Sequence, residues 1–185
     1  VLDAHRAEHA IASQLQRALL PDRVVEHPAV RIAARYMAAS DLMAIGGDWY
    51  DTFVWADGQV GVTVGDVVGH DIAAATTMGR LRIGVNALMS RCPADPGAVL
   101  DAHEDYGRDL GPAFATAVSV VVRSETGELA YASAGHPGPL VMLPDGTTQW
   151  LTEAVTPPLG VDPERGHVAK TVTLQPGATV VLYSD

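Results

Sequence analysis

Two Gly-Asp pairs lie on either side of one turn in GGDWYDTFVWADGQVGVTVGDVVGHD, residues 46–71. Ala56-Asp57-Gly58 fits a three-residue hairpin loop with glycine in the left-handed position. In that register Trp55 faces Gln59, Val54 faces Val60, Thr52 faces Val62, Tyr50 faces Val64 and Asp48 faces Asp66. A two-residue loop would slip the pairing by one and send the aspartates to opposite faces. Directly opposed side chains have Cβ atoms roughly 4.5–5.5 Å apart, and like charges there repel. A shared proton or a divalent cation would relieve that repulsion. Hard carboxylate oxygens favour Mg²⁺ or Mn²⁺ over softer metals.

The glycines suit such a site. Gly46 and Gly47 precede one aspartate, and Gly65 and Gly69 flank the other, where missing side chains let backbone and ligand approach. Ordinary turn chemistry with solvated aspartates is the plainer account. His70 and His136 are candidate ligands or general acids, although loop histidines are commonly structural. Asp51 is either a support for the other carboxylates or a strand residue facing water. Asp71 sits where a helix N-cap belongs. Ala134-Gly135-His136-Pro137 reads as a tight loop, and Cys92 has no activating neighbour in sequence. HExxH, a phosphate loop ending in GK[ST] and GxSxG are all missing from the chain.

The elements that must position these groups are mainly strands. Runs 30–36, 49–55, 59–66, 113–123, 128–134, 139–143, 168–174 and 178–184 read as β. Turns at Asp57-Gly58, Thr126-Gly127 and Asp145-Gly146 imply antiparallel hairpins. Two helices interrupt them. Residues 72–89 follow Asp71 and place Ala74, Met78, Leu81, Val85 and Leu88 on one face. The other helix opens at Asp95-Pro96 and runs to about Leu110. Gly79 and Gly84 inside the first helix suggest close packing against a sheet. A further helix, residues 3–20, carries Ala4, Ala7, Ile11, Leu15 and Leu19 on one stripe and stops at Pro21. It is either a packing helix of its own domain, a connector from an upstream regulatory domain, or a dimer seam. Helices among antiparallel hairpins make an α+β fold.

Composition narrows the function. With 12 Lys plus Arg against 22 Asp plus Glu, the formal charge is −10. That excludes the basic footprint of a nucleic-acid binder and disfavours anionic membrane surfaces. Apolar residues at 48% and charged residues at 18% are globular values. The single cysteine excludes an internal disulfide and a multi-thiolate metal site. No apolar run reaches the roughly 18–20 residues of a membrane span, and no leader sequence is evident. A cytoplasmic protein is expected, and the start at Val1 reads as a piece of something longer.

Taken together, GGDWYD at 46–51, GDVVGHD at 65–71, FATA at 114–117, AGHPGPL at 134–140, PPLGV at 157–161 and VVLYSD at 180–185 resemble the SpoIIE-type (RsbU-like) branch of the PPM protein phosphatases. LQRALLP at 15–21 resembles the segment that often opens this domain. The resemblance implies an α-β-β-α sandwich of two antiparallel sheets flanked by helices. It divides the chain into a linker or regulatory helix at 1–21 and a phosphatase domain at 22–185, incomplete at its C-terminal end. It implies two Mn²⁺ or Mg²⁺ ions held by Asp48, Asp66, the backbone carbonyl of Val67, and Asp185. Gly47, Asp51, Gly69, His70 and His136 are then supporting or substrate-contacting candidates. Asp71 departs from the family's usual glycine.

The chemistry implied is metal-dependent hydrolysis of phosphoserine or phosphothreonine, with no covalent phosphoenzyme. The implied substrate is a phosphorylated STAS-type anti-sigma-factor antagonist in a partner-switching pathway. A sensor domain would act through the N-terminal helix, with a homodimer as one arrangement. The competing reading is a phosphatase-like module that regulates by binding a partner, without turnover.

Overall fold

In the computed structural model, which describes residues 18–37, 46–111 and 114–184, the acidic hairpin closes through a three-residue loop. The Trp55 amide donates to the Gln59 carbonyl at 3.0 Å, and Gly58 takes φ 80°. That left-handed value is open to glycine at no steric cost. Strands β1 (Asp48–Val54) and β2 (Val60–Val67) pair antiparallel, and Asp48 stands opposite Asp66. The three-residue register therefore holds.

β3 (Ala115–Arg123) and β4 (Glu128–Ala134) extend this sheet. Its order is β1-β2-β3-β4-β7, where β7 is Val155–Thr156, and β8 (Lys170–Thr173) also pairs with β4. A second sheet has the order β6-β5-β9, from Thr148–Trp150, Leu140–Met142 and Thr179–Val181. These pairings are antiparallel except for the two-residue parallel match of β4 with β7.

Helices α1 (Ile72–Leu88) and α2 (Pro96–Leu110) start at side-chain caps. The Ala74 amide donates to Asp71 Oδ1 at 2.8 Å and the Ala98 amide to Asp95 Oδ1 at 2.9 Å. Each bond satisfies a backbone N–H that the helix cannot. Both helices cover one face of the large sheet. There Trp49, Phe53, Val67, Met78, Leu81, Val85, Val99 and Leu100 form one core. The other face packs on the small sheet through a second core that includes Val120, Leu129, Tyr131, Val141 and Leu151. Strand alternation divides the two cores, because successive side chains point to opposite faces. No helix among the described residues is long and apolar enough to cross a membrane.

Four expectations need correction. Residues 30–36 form no strand, since apolar alternation alone supplies no backbone partner. β6 and β7 are strands where none was expected. Gly79 and Gly84 do not face a sheet: a Cβ on Gly79 would strike Leu19, and one on Gly84 would strike the Tyr106 ring of α2. Leu88 leaves the buried stripe and is 40% exposed. Of the helix expected at 3–20, residues 1–17 lie outside the described residues.

Residues 19–25 wrap the edge strand β1. Arg82 Nε of α1 donates to the Leu19 carbonyl at 2.7 Å, the Tyr50 hydroxyl donates to the Pro21 carbonyl at 3.3 Å, and the Val25 amide donates to Thr52 Oγ1 at 3.0 Å.

Candidate functional site

Asp48 opens β1 and Asp66 is the next-to-last residue of β2, so register places both half-buried carboxylates on one face at one end of the sheet. Val67 follows. Its amide donates to the Gly47 carbonyl at 3.1 Å, and a Cβ on Gly47 would overlap the Val67 carbonyl. Only glycine lets these two backbones approach so closely. Two carboxylates and a nearby main-chain carbonyl form a hard oxygen donor set, which fits Mg²⁺ or Mn²⁺. Among the described residues no group of three or more His, Cys, Asp and Glu side chains forms a metal cluster. The third expected carboxylate, Asp185, lies outside them.

Gly65, which flanks Asp66, makes room for protein. A Cβ there would strike the Trp49 indole, so this glycine serves the core under the helices. Gly69, at φ 121°, turns the chain from β2 into α1. His70 and the capping Asp71 are exposed beside it.

Asp51 does not join the pair. Three residues after Asp48, it leaves β1 on the opposite face and is 4% exposed beneath α1. Its Oδ2 accepts from Arg82 at 3.2 Å and from Asn86 Nδ2 at 3.0 Å, and its Oδ1 accepts from the Thr52 amide at 2.9 Å. Burial raises this carboxyl above the usual range, against the opposing pull of those partners. It ties strand, helix and Leu19 together, because the same Arg82 holds the Leu19 carbonyl.

His136 lies beside the Asp66 edge and is 5% exposed. Its Nδ1 meets Thr116 Oγ1 at 2.8 Å and its Nε2 meets the Tyr183 carbonyl at 2.9 Å. Ser133 fixes its backbone. The Ser133 hydroxyl donates to the His136 carbonyl at 2.6 Å and accepts from the His136 amide at 3.1 Å.

Residues not singled out in the sequence complete the surroundings. Thr116 stands opposite Asp66 across β2 and β3. Both oxygens of buried Glu104 accept from the Gly160 amide, at 3.1 and 3.0 Å, and anchor the PPLGV turn on α2. A cavity of about 330 Å³ borders Val67, His103, Glu104, Phe114 and Gly160. Thr116 lies in FATA and Gly160 in PPLGV, so the motifs mark their neighbourhoods, but the partners come from distant segments. Burial raises the Cys92 thiol, which disfavours its reactive thiolate.

Comparison with known proteins agrees with this architecture. The family model described as Stage II sporulation protein E (SpoIIE) matches residues 56–185. Phosphoserine phosphatase RsbU of Bacillus subtilis is 27% identical over 97% of this chain and 53% of its own length. The solved RsbU and RsbW domains of a Mycobacterium tuberculosis protein superpose with TM-score 0.64 at 29% identity, covering 77% of this chain and 39% of that one. The SiaA-PP2C domain of Pseudomonas aeruginosa superposes with TM-score 0.66 at 23% identity, covering 94% of this chain and 71% of that one. The chain spans about a third to a half of the length of the curated relatives it matches. The two-sheet α+β architecture is that of these phosphatase domains, and the family match covers well over half of the sequence, so the chain belongs to the SpoIIE family, with a PPM-type (PP2C) phosphatase domain.

Proposed function

We propose that this chain is the catalytic domain of a metal-dependent serine/threonine protein phosphatase. The observation that carries the reading is the pairing of Asp48 with Asp66 at one sheet edge, with the Val67 backbone held against Gly47 beside them. Asp48, Asp66, the Val67 carbonyl and Asp185 would hold two Mn²⁺ or Mg²⁺ ions. When bound, such ions acidify water and offset charge on phosphoryl oxygens. The chain's own contribution is to hold two carboxylates close together across one hairpin. Neither needs to transfer a proton.

The substrate in this reading is a phosphorylated regulatory protein, a STAS-type anti-sigma-factor antagonist. Family membership and the name of the RsbU relative, phosphoserine phosphatase, support that choice. A sensor domain would signal through the 1–21 helix, in a homodimer, inside the cytoplasm.

The test is release of phosphate from a phosphoserine STAS protein by the full-length enzyme with Mn²⁺. Several kcal/mol of transition-state stabilisation ride on such ions. Asp66→Asn should therefore lower kcat by about a hundredfold or more. Equal rates in the two proteins would refute the metal reading. Tight substrate binding without turnover by the wild type would favour the non-catalytic module.

A further inference from the structure

His136 spans two parts of the fold that sequence separates widely. On one side is Thr116, the cross-strand partner of Asp66. On the other is the carbonyl of Tyr183, two residues before Asp185 in the chain. A carbonyl only accepts, so Nε2 carries the hydrogen and donates to Tyr183. In the neutral ring Nδ1 is then an acceptor, and the Thr116 hydroxyl donates a hydrogen bond to it. The result is one directional chain: Thr116 O–H to Nδ1, then Nε2–H to the Tyr183 carbonyl. The ring has little freedom to tilt, because it is buried and Ser133 holds its backbone at both the amide and the carbonyl.

We propose that His136 is a positioning residue that sets the spacing between the Asp66 edge of the large sheet and the segment carrying Asp185. The proposal rests on the reading that Asp66 and Asp185 hold cations together. Asp66 lies on β2 of the large sheet and Tyr183 follows β9 of the small sheet, and the His136 ring links the two sides. Groups that orient metal ligands without touching the metal typically change affinity 10–100-fold when removed. His136 acts through peptide geometry and needs no contact with substrate.

The experiment measures Mn²⁺ affinity of the full-length protein by calorimetry and by electron paramagnetic resonance, well below each variant's melting temperature. The variants are Asp66→Asn, His136→Phe, His136→Gln and Thr116→Val. Asp66→Asn should lose tight binding. His136→Phe keeps the ring volume without either hydrogen bond and should bind about 10–100-fold more weakly. His136→Gln retains a donor toward Tyr183 and should recover most of the affinity. Thr116→Val should show a smaller loss, and it carries the test with His136→Gln if the phenylalanine variant does not fold. Mn²⁺ affinity unchanged in the foldable His136 and Thr116 variants, but lost in Asp66→Asn, overturns the brace alone. A melting temperature lowered with affinity intact does the same, since it marks a merely structural histidine. Asp66→Asn binding as tightly as the wild type overturns the metal reading itself.

Discussion

Asp48, Trp49 and Asp51 sit within four residues yet do different work, because a strand sends neighbours to opposite faces. Asp48 meets Asp66 on one face, while Trp49 and Asp51 enter the helix-side core. His103 belongs to that core. It stacks on Trp49 with ring centroids 5.9 Å apart, and its Nδ1–H donates to the Val99 carbonyl at 2.8 Å. Burial, aided slightly by nearby His167, pushes its pKa down to about 4. In the unfolded chain it titrates near 6.5, so between these values the unfolded state binds more protons. Stability from this residue is full above pH 6.5 and is lost as pH falls to about 4, by roughly 3 kcal/mol. His103→Phe should flatten that part of the pH–stability curve, as read from urea midpoints at fixed pH steps. An unchanged slope would show that His103 is accessible to protons in the fold. The pairing of Asp48 and Asp66 was legible because turn length sets register. The partners of Asp51 were not, because Arg82 and Asn86 lie more than thirty residues away.

At the level of elements, local chemistry placed the helix starts and long-range chemistry decided the strands. Asp71 and Asp95 cap their helices through atoms three residues away, so a short window of sequence contains the whole interaction. Asp71→Ala should cost about 1 kcal/mol in the metal-free protein, and Asp71→Gly only a few tenths. Denaturant midpoints at constant m would show this. Equal loss in both would mean the carboxylate matters for something other than the cap. By contrast, β6 is three exposed residues and β7 is two, too short for any periodic signal. Residues 30–36 have the alternating pattern and no ladder, since a strand is completed by its neighbour.

For the whole molecule, the two cores lock the acidic edge from both sides. The helix-side core holds Trp49 and Val67, and the inter-sheet core holds Val62 and Val120. Cations bound at that edge would bind the native state alone. Mn²⁺ at a hundred times its Kd should therefore raise stability by about 2.7 kcal/mol, reversed by chelation. Asp66→Asn should show no such rise in melting temperature. A rise of equal size in the variant would place the stabilising ion elsewhere.

The sequence by itself determined the two helix caps, the α+β class and, through six ordered motifs, the family, and it narrowed the hairpin register to two loop lengths. Each is encoded over a few residues, by turn length, capping geometry or motif. Only the tertiary structure decided that Asp51 serves α1, that Gly65 makes room for Trp49, and that His136 links Thr116 to Tyr183. Those outcomes depend on which distant segments share a face, and spacing along the chain carries no record of that.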